Sequence, residues 1–320
     1  MRDRRWVLLF VLCFFLIYLS LFAGGSREGE VRVNNGEERQ KIYAVVSIMP
    51  QKYIVERIGG EKVKVDVLVD PGSNPHTMEP TPKQIVSLAD ADVLFTIGFP
   101  FERRLVEKIR GSGVDLRIVE TDRGIERRSL EDHGEEDSDD EVANNQKGSS
   151  DGHGEADPHI WLSARNLKNI AENIMEKLVE IDPEGGSYYR KNFKQLSKEI
   201  DETDAYIRDL LKPFRGRTIF VLHPAYGYFA DDYGLNQMSV EKHGRSPGPR
   251  ELKELIEEAR REKVGVIFVQ PQYDLKPAWA LADSIGGKVI KADPFAYDVI
   301  EMLRMMAIEI KRDFNMEKTK

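Results

Sequence analysis

Three histidines lie beside apolar runs that are expected to end in turns: His76 in DPGSNPHTME, His159 in ADPHIWLS and His223 in FVLHPAYGYF. They are far apart in the chain, so only a fold that brings three element ends together could place them side by side. Neutral imidazole nitrogen is a favoured ligand of zinc and of similar divalent ions. A lone histidine is more often structural, but three in comparable settings indicate a metal site.

A carboxylate is the expected fourth ligand, because three neutral imidazoles leave a divalent ion doubly positive. Asp293 directly follows the strand-like segment KVIKA and is the first candidate, with Asp298 as the fallback. Pro294 follows Asp293, and this pair is also typical of a helix start in which Asp293 would be the N-cap. The sequence leaves both roles of Asp293 open.

The residues around the three histidines suggest how the site is supported. Metal-binding imidazoles need acceptors for their other ring N–H group, and the candidates are Asp157 and Glu79. Four nearby aromatic residues are expected to pack around the site and exclude water rather than bind the ion. They are Trp161, Tyr226, Tyr228 and Phe229.

An acidic tract, residues 131–157, lies just before His159. It holds eleven Asp or Glu and one Lys, so it carries a charge of −10 while the whole chain carries −8. Such a segment cannot bury enough apolar surface to order itself, and we predict a loop that projects from the first lobe. It is either a solvated insertion or an accessory metal loop that concentrates zinc weakly through His133 and His153. His243 has no evident partner and is interpreted as a surface residue.

The N-terminal segment indicates export. Arginines precede an uncharged stretch over residues 6–26, which is the pattern of a secretory signal but is also long enough for a retained anchor. Residues 1–26 are therefore predicted to be a signal peptide or an N-terminal membrane anchor, and residues 27–40 a flexible linker. The only cysteine, Cys13, lies in the apolar stretch. The exported part has no thiolate, so a metal there must bind nitrogen and oxygen.

Strand-like and helix-like segments alternate twice from Lys41 onward, which is typical of βαβ units and parallel sheets. Between the two series, residues 188–211 contain no Gly or Pro and keep apolar residues at helical spacing. We predict an α/β fold of two lobes, each a mostly parallel sheet flanked by helices, joined by one long helix. The predicted boundaries are 41–186 for the N-terminal lobe, 187–213 for the connecting helix and 214–320 for the C-terminal lobe.

The motifs PGSNPHTMEPTP, DPHIWLS, VLHPAYGYFADDYGL, SPGPRELKELI and ADPFAYDVIEM, in this order, resemble those of the zinc- and manganese-specific solute-binding proteins of ABC importers. The resemblance implies one metal in the cleft, bound by His76 and His159 from the first lobe and by His223 and the late aspartate from the second. Manganese members carry Glu where this chain has His223, so the third imidazole favours zinc. Zinc members also carry a His- and acid-rich loop before the second histidine. The acidic tract 131–157 matches this loop, but it holds only two histidines.

The sequence thus predicts an exported, non-catalytic receptor that binds Zn²⁺, with Mn²⁺ less favoured, and delivers it to a membrane ABC permease. We expect a monomer at the cell surface or in the periplasm, without a nucleic-acid partner. Two alternatives stay open: a manganese receptor or adhesin of the same fold, and an exported zinc hydrolase. The sequence contains no HExxH motif to supply a catalytic base, which disfavours the hydrolase.

Overall fold

The computed structural model of the chain describes residues 41–130, 156–241 and 245–316. The predicted signal peptide or anchor, the linker and most of the acidic loop lie outside these ranges, together with His133, His153 and His243. Within the described ranges, no helix combines the length and the hydropathy of a bilayer-spanning segment.

The first lobe is built on a four-stranded parallel sheet in the order β2-β1-β3-β4. Its strands are β1 (Ile42–Val46), β2 (Val63–Val67), β3 (Val93–Thr96) and β4 (Arg117–Glu120), connected by α1 (Met49–Gly59), α2 (Pro82–Ala89) and α3 (Pro100–Ser112). Every residue of β3 is buried, as expected for a central strand that helices cover on both faces. The strands run in one direction, so the loops at their carboxyl ends share one edge of the sheet.

Two long helices follow, α4 (Ala164–Ile181) and α5 (Gly186–Leu211). The α5 helix is the connector that the sequence predicts, and it packs against both α1 and α4 through buried residues that include Leu196 and Ile200. No helix was predicted for α4, although its apolar residues follow helical spacing. The Ser163 side chain also accepts the N–H of Asn166 as an N-cap.

The second lobe repeats the topology of the first, with a parallel sheet in the order β6-β5-β7-β8. Its elements are β5 (Thr218–Val221), α6 (Gly227–Tyr233), β6 (Asn236–Ser239), α7 (Pro249–Arg261), β7 (Val266–Val269), α8 (Lys276–Ile285), β8 (Lys288–Lys291) and α9 (Val299–Met316). The closing helix α9 begins later than the predicted Pro294, because Asp298 Oδ1 accepts the N–H of Glu301 at 3.0 Å and caps it. The α9 helix packs back against α5.

The hydrophobic core shows how the connector joins the lobes. One cluster of buried residues runs from the first sheet through α5 and α9 to one face of the second sheet, and a second cluster covers the opposite face. Strand β5 contributes Ile219 and Val221 to the first cluster and Phe220 to the second, following the alternation of side chains along a strand. The predicted fold of two α/β lobes joined by one long helix is confirmed.

Candidate metal centre

Three loops bring the three predicted histidines together. His76 lies in the loop between β2 and α2, His159 immediately precedes a 3₁₀ turn over Ile160–Leu162, and His223 follows β5 in the second lobe. A side-chain oxygen fixes the backbone N–H of each histidine: Asn74 for His76, Asp157 for His159 and Gln270 for His223. The backbone of each candidate ligand is therefore held in place within its loop.

The ring nitrogens of the three histidines converge within 4.8 Å of one another. The Nε2 atoms of His76 and His159 are 3.3 Å apart. Two imidazole nitrogens on one tetrahedral zinc ion, each at a bond length of about 2.0–2.1 Å, would also lie about 3.3 Å apart. The third nitrogen, His223 Nε2, is buried and has no hydrogen-bond partner among the described residues, although an unpaired buried polar atom is costly. An ion bound between the three rings would satisfy it.

Carboxylates lie against the outer ring nitrogens of two of the histidines. Asp157 Oδ1 lies 2.8 Å from His159 Nδ1, and Glu241 Oε2 lies 3.3 Å from His223 Nδ1. If each Nδ1 carries the proton and donates it to its carboxylate, each Nε2 presents a lone pair to the common centre. Of the two predicted acceptors, Asp157 therefore occupies the expected position, whereas Glu79 is exposed.

Glu241 was not identified from the sequence, and the strand register explains its position. In the parallel pair β5 and β6, Val221 is paired with Ser239. His223 and Glu241 each lie two residues beyond these partners, so they leave the sheet side by side. The signal in the sequence was a carboxylate placed after a strand candidate, but it could be recognised only with the knowledge that β6 is the neighbour of β5.

The electrostatics of the site favour the uncharged form of His76 and His223. Burial, followed by repulsion from His159 and His223, lowers the pKa of His76 from 6.5 to about 3. Burial also lowers the pKa of His223, although Glu241 opposes this shift. Burial alone would raise the pKa of Asp157, but hydrogen bonds from His159 and from the Arg128 guanidinium leave it lowered. His76 and His223 are thus held in the neutral form that metal binding needs, beside an ionised supporting carboxylate.

Aromatic rings surround the histidines. Phe99 lies 5.6 Å from His76 and Trp161 lies 5.5 Å from His159, measured between ring centroids. Tyr273 stacks on His223 at 4.5 Å with an interplanar angle of 20°. The four aromatic residues expected to pack are all buried. Phe99 and Tyr273 complete the wall but were not anticipated, because their loops approach the site only in the fold.

The aspartates predicted as a fourth ligand lie outside the three-histidine group. Asp293 Oδ1 accepts the amide of Gln272 at 2.8 Å and the backbone N–H of Phe295 at 2.9 Å. No helix begins at Pro294, so Asp293 stabilises a turn and the N-cap role belongs to Asp298. Asp293 follows β8, which is two strands and therefore about 10 Å across the sheet from β5.

Replacing Glu241 with glutamine should weaken zinc binding by roughly tenfold to a hundredfold, the range typical of residues that support a metal-binding histidine. Glutamine keeps an acceptor oxygen but removes the charge that holds the proton on His223 Nδ1. The measurement is a competition titration with a chromophoric zinc chelator. Glu257→Gln, an exposed substitution on α7, serves as the matched control. Equal affinities of the two variants would contradict the prediction.

Comparisons with known proteins agree with this geometry. A family model described as ZnuA, zinc-uptake complex component A periplasmic, matches residues 44–312. The high-affinity zinc uptake system protein ZnuA of Bacillus subtilis is 28% identical over 290 residues, which cover 89% of this chain and 87% of that protein. The manganese-binding lipoprotein MntA of Halalkalibacterium halodurans is 27% identical over 261 residues, covering 80% of this chain and 79% of that protein. A crystal structure of ZnuA aligns with a TM-score of 0.77 at 33% identity, covering 86% of this chain and 99% of that chain.

The aligned ZnuA structure shares the two-lobe fold, and the relatives differ in the metal for which they are named. They are binding proteins of transport systems, so the expectation that the chain is not an enzyme is confirmed. Their names include both zinc and manganese, so membership establishes a divalent metal as the cargo and not which one. The chain belongs to the ZnuA family, the solute-binding proteins of zinc and manganese ABC transporters.

Proposed function

We propose that this protein is an extracytoplasmic receptor that binds zinc with high affinity and delivers it to the membrane permease of an ABC transporter. The observation that carries the proposal is the convergence of three imidazoles from two lobes on one point. The separation of 3.3 Å between His76 Nε2 and His159 Nε2 is the one that a tetrahedral ion requires. The unpartnered, buried Nε2 of His223 faces the same group.

Zinc is favoured over manganese by the donor atoms. Three nitrogen donors suit the softer zinc ion, whereas manganese prefers sites rich in carboxylate oxygen. The two carboxylates closest to the imidazoles, Asp157 and Glu241, face the outer Nδ1 atoms and support the rings instead of offering their oxygens to the centre. The supporting shell thus strengthens nitrogen ligation.

The expected location and partner follow from the relatives. They are named as a periplasmic component, as an uptake system protein and as a lipoprotein, which supports an extracytoplasmic site of action. We propose that the protein acts as a monomer, that a signal or anchor within residues 1–26 exports it, and that the permease receives the ion from the cleft.

The test is a calorimetric titration of the purified protein with zinc and, separately, with manganese, after removal of bound metal by a chelator. We expect a single tight site for zinc with submicromolar affinity and weaker binding of manganese. If neither metal binds at submicromolar concentration, the proposed function is wrong. Tighter binding of manganese than of zinc would support the manganese receptor.

We propose Asp293 as the fourth ligand. Its carboxylate would exchange its hydrogen bonds to Gln272 and Phe295 for a bond to the ion. Asp293→Asn should then lower zinc affinity by at least about tenfold, because asparagine keeps the turn but lacks the charge. Asp298→Asn is the matched control, since asparagine is also a good N-cap. If Asp298→Asn alone weakens binding, the fallback Asp298 is the ligand. If neither substitution changes the affinity, the fourth position belongs to another group.

The role of the acidic loop can be separated from that of the cleft. An antiparallel bridge between Ser129 and Ala156 closes the base of the loop, so residues 131–155 can be replaced by a short Gly-Ser linker without opening it. We propose that the loop is an accessory zinc site. Its removal should abolish weak zinc binding at higher metal concentration and leave the tight site unchanged. An unchanged number of weak sites would identify the loop as a solvated insertion.

A further inference from the structure

A buried ion pair lies directly behind His159. Asp157, whose side chain is fully buried, uses Oδ1 to hold the His159 ring at 2.8 Å. Its other oxygen, Oδ2, accepts a hydrogen bond from Arg128 Nη1 at 3.1 Å. The orientation of this histidine therefore depends on a carboxylate whose charge is balanced by Arg128. Since a buried carboxylate left without its cation is strongly destabilised, Arg128 supports the ligand through Asp157.

Arg128 also reaches the second lobe. Its Nε atom donates to Asp231 Oδ2 on α6 at 2.9 Å. Its backbone N–H donates to the hydroxyl of Tyr228, also on α6, and this hydroxyl donates to the carbonyl of Asp157, each at 3.1 Å. The α6 helix begins shortly after His223. One guanidinium thus connects the carboxylate behind a ligand of the first lobe with the helix that follows the ligand of the second lobe.

The start of α6 is shaped to admit this guanidinium. A Cβ atom at Gly227 would lie 1.8 Å from Arg128 Nη1, so any side chain there must displace Arg128. The three atoms nearest to this Cβ all belong to the guanidinium end of Arg128. Gly227→Ala therefore displaces the guanidinium while Arg128 itself is kept.

We propose that Arg128 is a positioning residue that couples His159 to closure of the two lobes and thereby slows the release of zinc. This inference rests on the proposed function, since it concerns the same site. When the lobes separate, the bond between Arg128 and Asp231 breaks, and the support of Asp157 and His159 is weakened at the same moment. Opening the cleft and loosening the ligand thus become one event.

The experiment measures zinc release by stopped flow, with the full-length protein loaded with zinc and mixed with an excess of chromophoric chelator. Asp231→Asn removes the interlobe pair without touching Asp157. Because the Asp231 side chain is 60% exposed, its ion pair is weak, and this substitution should raise the release rate by only about twofold to fivefold. Gly227→Ala displaces Nη1, the atom that pairs with Asp157, so it should raise the release rate by more than Asp231→Asn does. Arg128→Gln should raise the release rate by roughly tenfold to a hundredfold. Arg128→Lys, which keeps the positive charge, should bring the rate part of the way back to that of the wild type.

A matched control and a double mutant separate coupling from general loosening. Asp201→Asn breaks an exposed ion pair with Lys168 between α4 and α5, away from the site, and should leave release unchanged. In the double mutant Arg128→Gln/Asp231→Asn, the second substitution should add nothing to the first. The ¹⁵N shifts of the His159 ring should also move toward a mixture of tautomers in Arg128→Gln, which a merely structural role would not cause.

The outcomes distinguish this inference from the proposed function. If the wild-type protein fails to bind zinc, the proposed function is wrong. If it binds zinc but Asp231→Asn and Gly227→Ala release it at the wild-type rate, only the coupling through Arg128 is wrong. Fully additive effects of Arg128→Gln and Asp231→Asn would also overturn the coupling, because independent residues add.

Discussion

Replacing His223 with alanine should lower zinc affinity by roughly a hundredfold to a thousandfold. Zinc sites with four protein ligands bind with about 10–16 kcal/mol, so each ligand carries about 2.5–4 kcal/mol, and each 1.4 kcal/mol corresponds to about tenfold in affinity. His223 is the only predicted imidazole ligand from the second lobe, so its loss also removes the nitrogen that joins the lobes through the ion. The measurement is chelator competition at neutral pH.

His223→Glu tests whether the third imidazole decides which metal is bound. A carboxylate at this position should weaken zinc binding and strengthen manganese binding, because oxygen donors suit the harder ion. The new carboxylate would also lie beside Glu241, and the two negative charges would repel each other. The double substitution His223→Glu/Glu241→Gln removes this repulsion. A variant that keeps the wild-type preference for zinc over manganese would show that another part of the site sets the specificity.

The zinc-free protein should lose about 3 kcal/mol of stability between pH 7 and pH 4 through His76. In the folded protein, burial and the neighbouring histidines lower the pKa of His76 from 6.5 to about 3. Between these values the unfolded chain binds the proton and the folded chain does not, so stability falls as the pH falls. Zinc requires the same neutral ring, so its binding weakens in the same direction. The measurement is urea unfolding in the presence of chelator at several pH values.

The matched control for this prediction is His76→Gln, which cannot titrate. Its stability should depend less steeply on pH than that of the wild type below about pH 6.5. His133→Gln, which changes a histidine outside the site, should keep the wild-type slope. If His76→Gln and the wild type lose the same free energy of unfolding between pH 7 and pH 4, the pKa of His76 is not lowered in the folded protein.

The three histidines could be predicted because their local sequences place each of them at the end of an element. His76 follows a strand within a turn-rich loop, His159 follows an Asp-Pro turn, and His223 directly follows a buried strand. In a parallel α/β sheet, the loops after the strands share one edge, so such residues have a physical reason to meet. Local sequence therefore predicted the convergence of the three histidines and the fold class.

The supporting carboxylate of His223 and the position of Asp293 depend on strand order, which local sequence does not specify. Glu241 lies beside His223 because β6 pairs with β5 in register. Asp293 lies farther away because β7 separates β8 from β5. Both acidic residues follow strands and look equivalent in the sequence. The hydrogen-bond ladder distinguishes them, because neighbouring strands are only about 4.8 Å apart.

By itself, the sequence determined which three imidazoles are the candidate metal ligands, that the fold has two α/β lobes, and that one long helix connects them. These follow from residue chemistry and from periodicity, which act over a few residues at a time. Only the tertiary structure decided which carboxylate supports which ring, and that Arg128 links both lobes behind His159. Such contacts join residues about a hundred positions apart, as Arg128 and Asp231 show. They are selected by the packing of complete elements, because a charged group can be buried only where its partner is already in place.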